Sequence, residues 1–225
     1  MKNRELIVED WAALDYQKAL EQQLLKHQEV VEDPQKCFLL FCEHPAVITK
    51  GRACERHPIQ WSSSWKNQIP VIDVSRGGLA TFHGPGQIVL YVIAKLGDKT
   101  GPFQGVVSLI RFLEKITIEV IKETCGLDTF AIEGETGVWT RKTRKKIANI
   151  GIASKNWVSY HGLSINVGMD QEIWNYFNPC GYKADQISDV KKELISNTPD
   201  IKKIKSNLIQ KITEQLQAYQ RHNYQ

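Results

Sequence analysis

Ser75-Arg76-Gly77-Gly78-Leu79-Ala80-Thr81-Phe82-His83-Gly84-Pro85-Gly86-Gln87 is a polar, glycine-rich segment set between two apolar runs, Ile69 to Val74 and Ile88 to Ile93. Both runs are rich in β-branched residues and are expected to be strands. Four of the chain's fifteen glycines fall in these thirteen residues. Glycine allows backbone conformations closed to other residues and lets a ligand approach the main chain. Arg76, Thr81, His83 and Gln87 put polar groups among them. A polar connection between buried strands is a natural place for a binding site. A tight turn that merely carries a histidine is the plainer alternative, and two glycine clusters with an arginine weigh against it.

Outward from this segment, strands and helices alternate irregularly over 225 residues, and one mixed α/β domain is the simplest expectation. Asp10 is the expected N-cap of a first helix carrying Trp11, Leu14, Leu20, Leu24 and Leu25. Cys37 to Cys42 is an expected buried strand, followed by Glu43-His44-Pro45, with His44 a turn residue, and then by Ala46 to Arg52. Residues 56–68 are polar, with Trp61 and Trp65 interleaved, and suggest a loop or short helix. Val107, Ile110, Leu113, Ile116, Val120 and Ile121 have helical spacing, and Gly126 ends that helix. Gly137 to Thr140, Lys146 to Ile152 and Trp157 to Val167 are expected strands, the last interrupted at His161-Gly162. Asn178 to Tyr182 is a turn. A final helix is expected with Thr198 as N-cap and Pro199 at its first helical position. Its apolar stripe is Ile201, Ile204, Leu208, Ile212, Leu216 and Tyr219.

Composition narrows the function. An apolar fraction of 42% suits a globular core, and the longest apolar run, Ile88 to Ala94, is far short of the ~20 residues that span a bilayer. The N-terminal residues carry no apolar signal core, so a cytoplasmic protein is expected. A net charge of +4 does not imply nucleic acid. The basic run Arg141 to Lys146 is either solvated surface or a dock for an acidic partner. The odd cysteine count, five without a C-x-x-C pair, argues against a disulfide framework.

Among the cysteines, Cys180 stands apart. It lies between Pro179 and Gly181 in a turn, whereas a buried structural cysteine sits in an apolar run. A thiol attacks well only as the thiolate, and a nearby cation favours ionisation. Lys146, at the mouth of an apolar strand, is the candidate cation, and His83 and His161 are rival bases. An inert turn cysteine and a solvated lysine remain open. A zinc site on Cys180, His83 and His161 is disfavoured because close-spaced ligand pairs are missing. No phosphate-binding loop motif is present, and Gly84-Pro85-Gly86 leads into a strand where a dinucleotide motif would lead into a helix. A nucleophile without a nucleotide loop suits transfer from an already activated donor.

Together these segments resemble one family. Arg76-Gly77-Gly78 with Thr81 and His83-Gly84-Pro85-Gly86-Gln87, then Lys146-Ile147-Ala148 with Ile150-Gly151, then His161-Gly162-Leu163, then Asn178-Pro179-Cys180-Gly181, are similar to the lipoyl(octanoyl) transferases. Glu43-His44-Pro45 and Thr49 with Gly51-Arg52 resemble that family's upstream motif, and the likeness runs from about residue 10 to 190. The resemblance implies an α+β domain of the biotin/lipoate protein ligase-like fold, mixed β-sheets with flanking helices, over residues 1–197, with residues 198–225 as a packed or appended helix. It implies an acyl thioester on Cys180 and an acid/base role for Lys146. The substrate-binding segments it implies are Arg76, Gly77, Gly78, Leu79, Ala80, Thr81, Phe82 and His83; Asn149, Ile150 and Gly151; and Gly162, Leu163 and Ser164. Octanoyl-acyl carrier protein would be the donor. The acceptors would be lipoyl domains of 2-oxoacid dehydrogenase E2 subunits and the glycine cleavage H protein. No cofactor, metal, nucleic acid or membrane is implied. The chain departs from the family pattern at Asn149, where serine is common, and mildly at Ser164, where alanine is often seen. An ATP-dependent lipoate or biotin ligase of the same fold, and a non-catalytic acyl- or carrier-binding module, are the alternatives.

Overall fold

The strand Gln87–Ala94 is buried along its whole length, so it must lie in the middle of a sheet covered on both faces. The computed structural model describes residues 5–57, 59–62, 69–97, 103–170, 172–178, 181–194 and 199–222, with side chains to residue 218. In chain order the strands are β1 (Glu5–Ala13), β2 (Lys36–Glu43), β3 (Val47–Lys50), β4 (Val71–Asp73), β5 (Ala80–His83), β6 (Gln87–Ala94), β7 (Thr129–Phe130), β8 (Val138–Thr140), β9 (Lys146–Lys155) and β10 (Val158–Asn166). The helices are α1 (Tyr16–Glu32), α2 (Val106–Cys125), the single turn α3 (Val190–Glu193) and α4 (Ile201–His222). Seven strands form one sheet in the order β1-β2-β6-β10-β9-β8-β7, and β4-β3-β5 form a second. This is the expected α+β architecture of mixed sheets with flanking helices.

Alternation sorts the core. Cys37, Leu39 and Phe41 of β2 and Ile88, Leu90 and Val92 of β6 face α2 and α4, in a cluster with Leu109, Leu113, Ile116, Leu208 and Ile212. Phe38, Leu40 and Cys42, with Val89, Tyr91 and Ile93, face α1. Successive strand side chains point to opposite faces, so one apolar run serves two cores. Each such fully buried side chain stabilises the fold by roughly 1.5–3 kcal/mol.

The first segment departs from expectation. Residues 5–13 form a strand paired in parallel with β2 from Glu5↔Lys36 to Asp10↔Phe41. Leu6 packs into the α2 core and Ile7 into the α1 core, a period of two that a helix would destroy. The helix starts after Asp15, whose carboxylate accepts from the N–H groups of Gln17 and Lys18. Leu24 and Leu25 are exposed, and the buried line is Tyr16, Ala19, Gln23, His27 and Val30. Two polar residues hold core positions there because β10 and its hairpin need them. Gln23 Oε1 accepts from the N–H of His161, and His27 Nε2 donates to the Lys155 carbonyl.

The last helix, α4, buries Ile204, Leu208, Ile212 and Leu216 in the same cluster as α2. Lys211 pairs with Glu123 of α2, and Lys205 reaches Asp10 of β1 at 2.5 Å. Asp200 caps it, its Oδ1 accepting from the N–H groups of Lys202 and Lys203. Thr198, expected in that role, and the Tyr219 side chain lie outside the described residues. No helix among the described residues is long and apolar enough to cross a membrane.

Candidate active site

On the α1 face of the large sheet, a cavity of about 240 Å³ opens between the start of α1, strands β6, β9 and β10, and the small sheet. The 75–79 loop forms one wall because Arg76 folds back into it. One guanidinium nitrogen of Arg76 donates to the carbonyls of Gly77 and Leu79, at 3.0 and 2.8 Å. The other donates to the carbonyl and hydroxyl of Thr49 in β3, at 2.8 and 2.9 Å. Arg76 is 7% exposed, so its charge is spent on shaping the wall and tying it to the small sheet.

Twelve of the fourteen expected substrate-binding residues line this cavity: Arg76, Gly77, Gly78, Leu79, Thr81, His83, Asn149, Ile150, Gly151, Gly162, Leu163 and Ser164. Ala80 and Phe82 point to the other side of β5, into a core with Ile48, Met169 and Trp174. Strand alternation separates them from Thr81 and His83, which the linear motif could not do. Lys146 also lines the cavity, although it is 4% exposed. It opens β9 opposite Trp139 of β8, and its Nζ lies 4.8 Å from the Trp139 ring centroid and 4.7 Å from that of Tyr182. Gly137 leaves room for it. A Cβ there would come within 2.4 Å of the Ala148 carbonyl oxygen and 2.6 Å of Lys146 Cε, and the φ of +135° already excludes most side chains. Cys180 and Pro179 lie outside the described residues. Of the described residues on either side, the Gly181 N–H donates to the Asn178 carbonyl at 3.2 Å, and Tyr182 lines the cavity.

The exposed lining residues, Gly78, Gly134 and Glu135, mark the mouth, and the most buried, Val89, His161, Tyr16, Leu163 and Tyr91, mark the floor. Polar atoms at and beneath the floor are linked by hydrogen bonds, while His161 Nδ1 is buried without a partner among the described residues. His44 Nδ1 donates to the Leu14 carbonyl, which leaves Nε2 to accept from the Tyr91 hydroxyl at 2.7 Å. His83 Nδ1 donates to Gln87 Oε1 at 2.7 Å, and Gln87 Nε2 donates to Asn166 Oδ1 at 2.9 Å. Asn166 in turn donates to the Ser188 carbonyl, and the Ser188 N–H donates to the carbonyl of Lys146. A continuous chain thus runs from the cavity floor to the strand end that carries Lys146.

Burial pushes His161 down to about 3, with the Arg76 guanidinium acting in the same direction. Burial, then the neighbouring His44, holds His83 well below the usual imidazole range. Both rings are neutral at physiological pH. Burial pushes the Tyr16 hydroxyl up to about 12, so it stays protonated. The Cys42 thiol, also near 12 by burial, is inert.

Tyr16, Tyr91, Glu135 and Tyr182 were not among the sequence candidates. Tyr91 sits in the longest apolar run, where a lone hydroxyl was the available signal. His44, expected as a turn residue, is 1% exposed and supports the floor from beneath through Tyr91.

The chain has the biotin and lipoate protein ligase-like fold. A lipoate-protein ligase A bound with ATP superposes with TM-score 0.69 at 16% identity, covering 96% of this chain and 86% of that one. A bipartite archaeal lipoate protein ligase from Thermoplasma acidophilum superposes with TM-score 0.72 at 16% identity, covering 96% and 85%. A biotin protein ligase from Aquifex aeolicus gives 0.52 at 12%, covering 97% and 72%. The family model for the lipoyl protein ligase A/B catalytic domain matches residues 14–213, and the chain belongs to that family. Among its relatives, an octanoyltransferase of Bdellovibrio bacteriovorus is 32% identical over 94% of this chain and 99% of its own length. An octanoyltransferase of Salinispora arenicola is 38% identical over 80% and 82%.

Proposed function

We propose that this chain is an octanoyltransferase of protein lipoylation. It moves an octanoyl group from octanoyl-acyl carrier protein to a lysine of a lipoyl domain through a thioester on Cys180, in the cytoplasm. The observation that carries the proposal is the single cavity in which Lys146 meets twelve of the residues expected to bind the acyl donor. Its buried aromatic floor suits an acyl chain, and its mouth leaves space for a carrier arm.

In the first step Lys146 takes the Cys180 proton and the thiolate attacks the donor carbonyl. The Sγ–C bond forms, the carrier C–S bond breaks, and the carrier sulfur leaves with the proton from Lys146. In the second step a neutral lysine amine of the acceptor attacks the enzyme thioester, the N–C bond forms as the C–Sγ bond breaks, and the amine's proton passes through Lys146 to the departing Cys180 sulfur. His83 and His161, held neutral on the floor and already hydrogen-bonded, are less suited to the proton transfer. The carrier would dock on the exposed turn at 141–145, where Arg141 and Arg144 both lie 5.0 Å over the ring of Phe130.

Intact mass spectrometry after mixing with octanoyl-acyl carrier protein, without ATP, is the test. The wild type gains an octanoyl adduct and Cys180→Ser gains none; absence of the adduct on the wild type overturns the mechanism.

A further inference from the structure

We propose that Trp139 and Tyr182 form an aromatic box that stabilises the ammonium ion Lys146 becomes on taking the Cys180 proton, and that both are positioning residues for acyl transfer. The proposal rests on the acid/base role of Lys146 given above. The Nζ lies 4.8 Å from one ring centroid and 4.7 Å from the other, inside the ~6 Å over which a cation is attracted to an aromatic face. The two rings meet edge to face with centroids 6.3 Å apart, so they enclose the amine from two sides.

Each side of the box is separately braced. Trp139 is 2% exposed and is the register partner of Lys146 across β8 and β9. The Tyr182 hydroxyl donates to Glu135 at 2.8 Å. The loop carrying Glu135 is pinned by α2. Buried Glu114 accepts from the Gly137 N–H at 2.9 Å, and Arg111 donates to both Glu114 and the Glu135 carbonyl. An ordinary surface lysine has none of this scaffolding.

The consequence is chemical. When the proton moves from the Cys180 thiol to Nζ, the product is a thiolate and an ammonium ion. The rings stabilise the ammonium and have no such attraction for the neutral amine. They therefore favour the proton-transferred state, which is the one that attacks and then protonates the leaving sulfur.

Among the described residues, the other ionisable groups on the elements round this amine are Tyr182 itself, Glu135 on the β7–β8 connection, Glu114 and Arg111 of α2, and Asp189, next in sequence to the Ser188 that bonds the Lys146 carbonyl. Across the cavity stand Tyr16, Arg76, His83, Tyr91 and His161. The two histidines are neutral, the two floor tyrosines are protonated, and Glu114 is paired with Arg111. Glu135 is the group whose surroundings a Tyr182 substitution changes, so Tyr182→Phe serves as its control.

The experiment is the pH dependence of single-turnover adduct formation from octanoyl-acyl carrier protein. In Tyr182→Leu the basic limb, which reports loss of the ammonium, is expected to move about half a unit to one unit lower. In Tyr182→Phe, which keeps the ring, it stays at the wild-type position even if the rate falls. A limb unmoved in Tyr182→Leu overturns the proposal. If that variant fails to fold by circular dichroism, Trp139→Phe replaces it, with a smaller shift in the same direction expected and no shift overturning the proposal. Lys146→Ala run in parallel separates the two levels. Wild-type rates in Lys146→Ala overturn its acid/base role. An unmoved limb beside an inactive Lys146→Ala overturns the aromatic box alone.

Discussion

At the scale of single residues, the site depends on side chains whose roles differ from their chemical reputations. Arg76, a natural anion binder, gives both terminal nitrogens to protein oxygens and shapes a wall. Gly137 has no side chain to contribute, yet it decides where Lys146 can lie. Gly137→Ala is expected to destabilise the fold by about 1–3 kcal/mol, because a Cβ at φ +135° clashes with the Ala148 carbonyl oxygen. It is also expected to slow adduct formation tenfold or more by pushing Lys146 out of register. Chemical denaturation and the single-turnover rate check the two parts separately; wild-type values for both would show that Lys146 does not need this gap.

Among the elements, α4 is the informative one. Its stripe has the regular steps of an amphipathic helix, and those residues close the α2 side of the large sheet. Leu208 is fully buried, and Leu208→Ala is expected to cost about 2–5 kcal/mol. The cavity is on the opposite face of the sheet, so the acyl-transfer rate of the folded variant should stay within a few-fold of wild type. A thermal shift with an intact rate is the expected result; an intact melting temperature would mean that α4 is merely appended. The start of the chain gives the opposite lesson. Asp10 and Trp11 look like a helix start, but pairing of residues 5–13 with β2 outweighs local helix propensity.

For the molecule as a whole, burying neutral histidines under one cavity ties stability to pH. The folded His161 binds its proton only near 3, and His83 also binds well below the usual range, whereas unfolded imidazoles do so near 6.5. Below that value the unfolded chain takes up protons that the folded chain refuses, so stability is present at neutral pH and is lost as pH falls. The melting temperature is therefore expected to drop between about pH 7 and 5, before most carboxylates titrate. His161→Asn, which tolerates the positive φ of +62° found there, should flatten that drop. A drop as steep as that of the wild type would place the acid sensitivity elsewhere.

The sequence by itself determined the strands β2, β6, β9 and β10, the helix α2 with its glycine stop, and twelve of the residues gathered round the cavity. Those features are written in local periodicity and in short motifs, where covalent neighbours share one structural role. Only the tertiary structure decided that Thr81 and His83 face the cavity while Ala80 and Phe82 face a core, since a motif has no faces until its strand pairs. It also decided that Gln23 and His27 belong inside and Leu24 and Leu25 outside. These two polar side chains are buried against distant partners, His161 and Lys155, more than a hundred residues away, which no local pattern records. The enclosure of Lys146 by Trp139 and Tyr182 is of the same kind: a strand neighbour on one side, a turn far along the chain on the other, and no linear pattern that joins them.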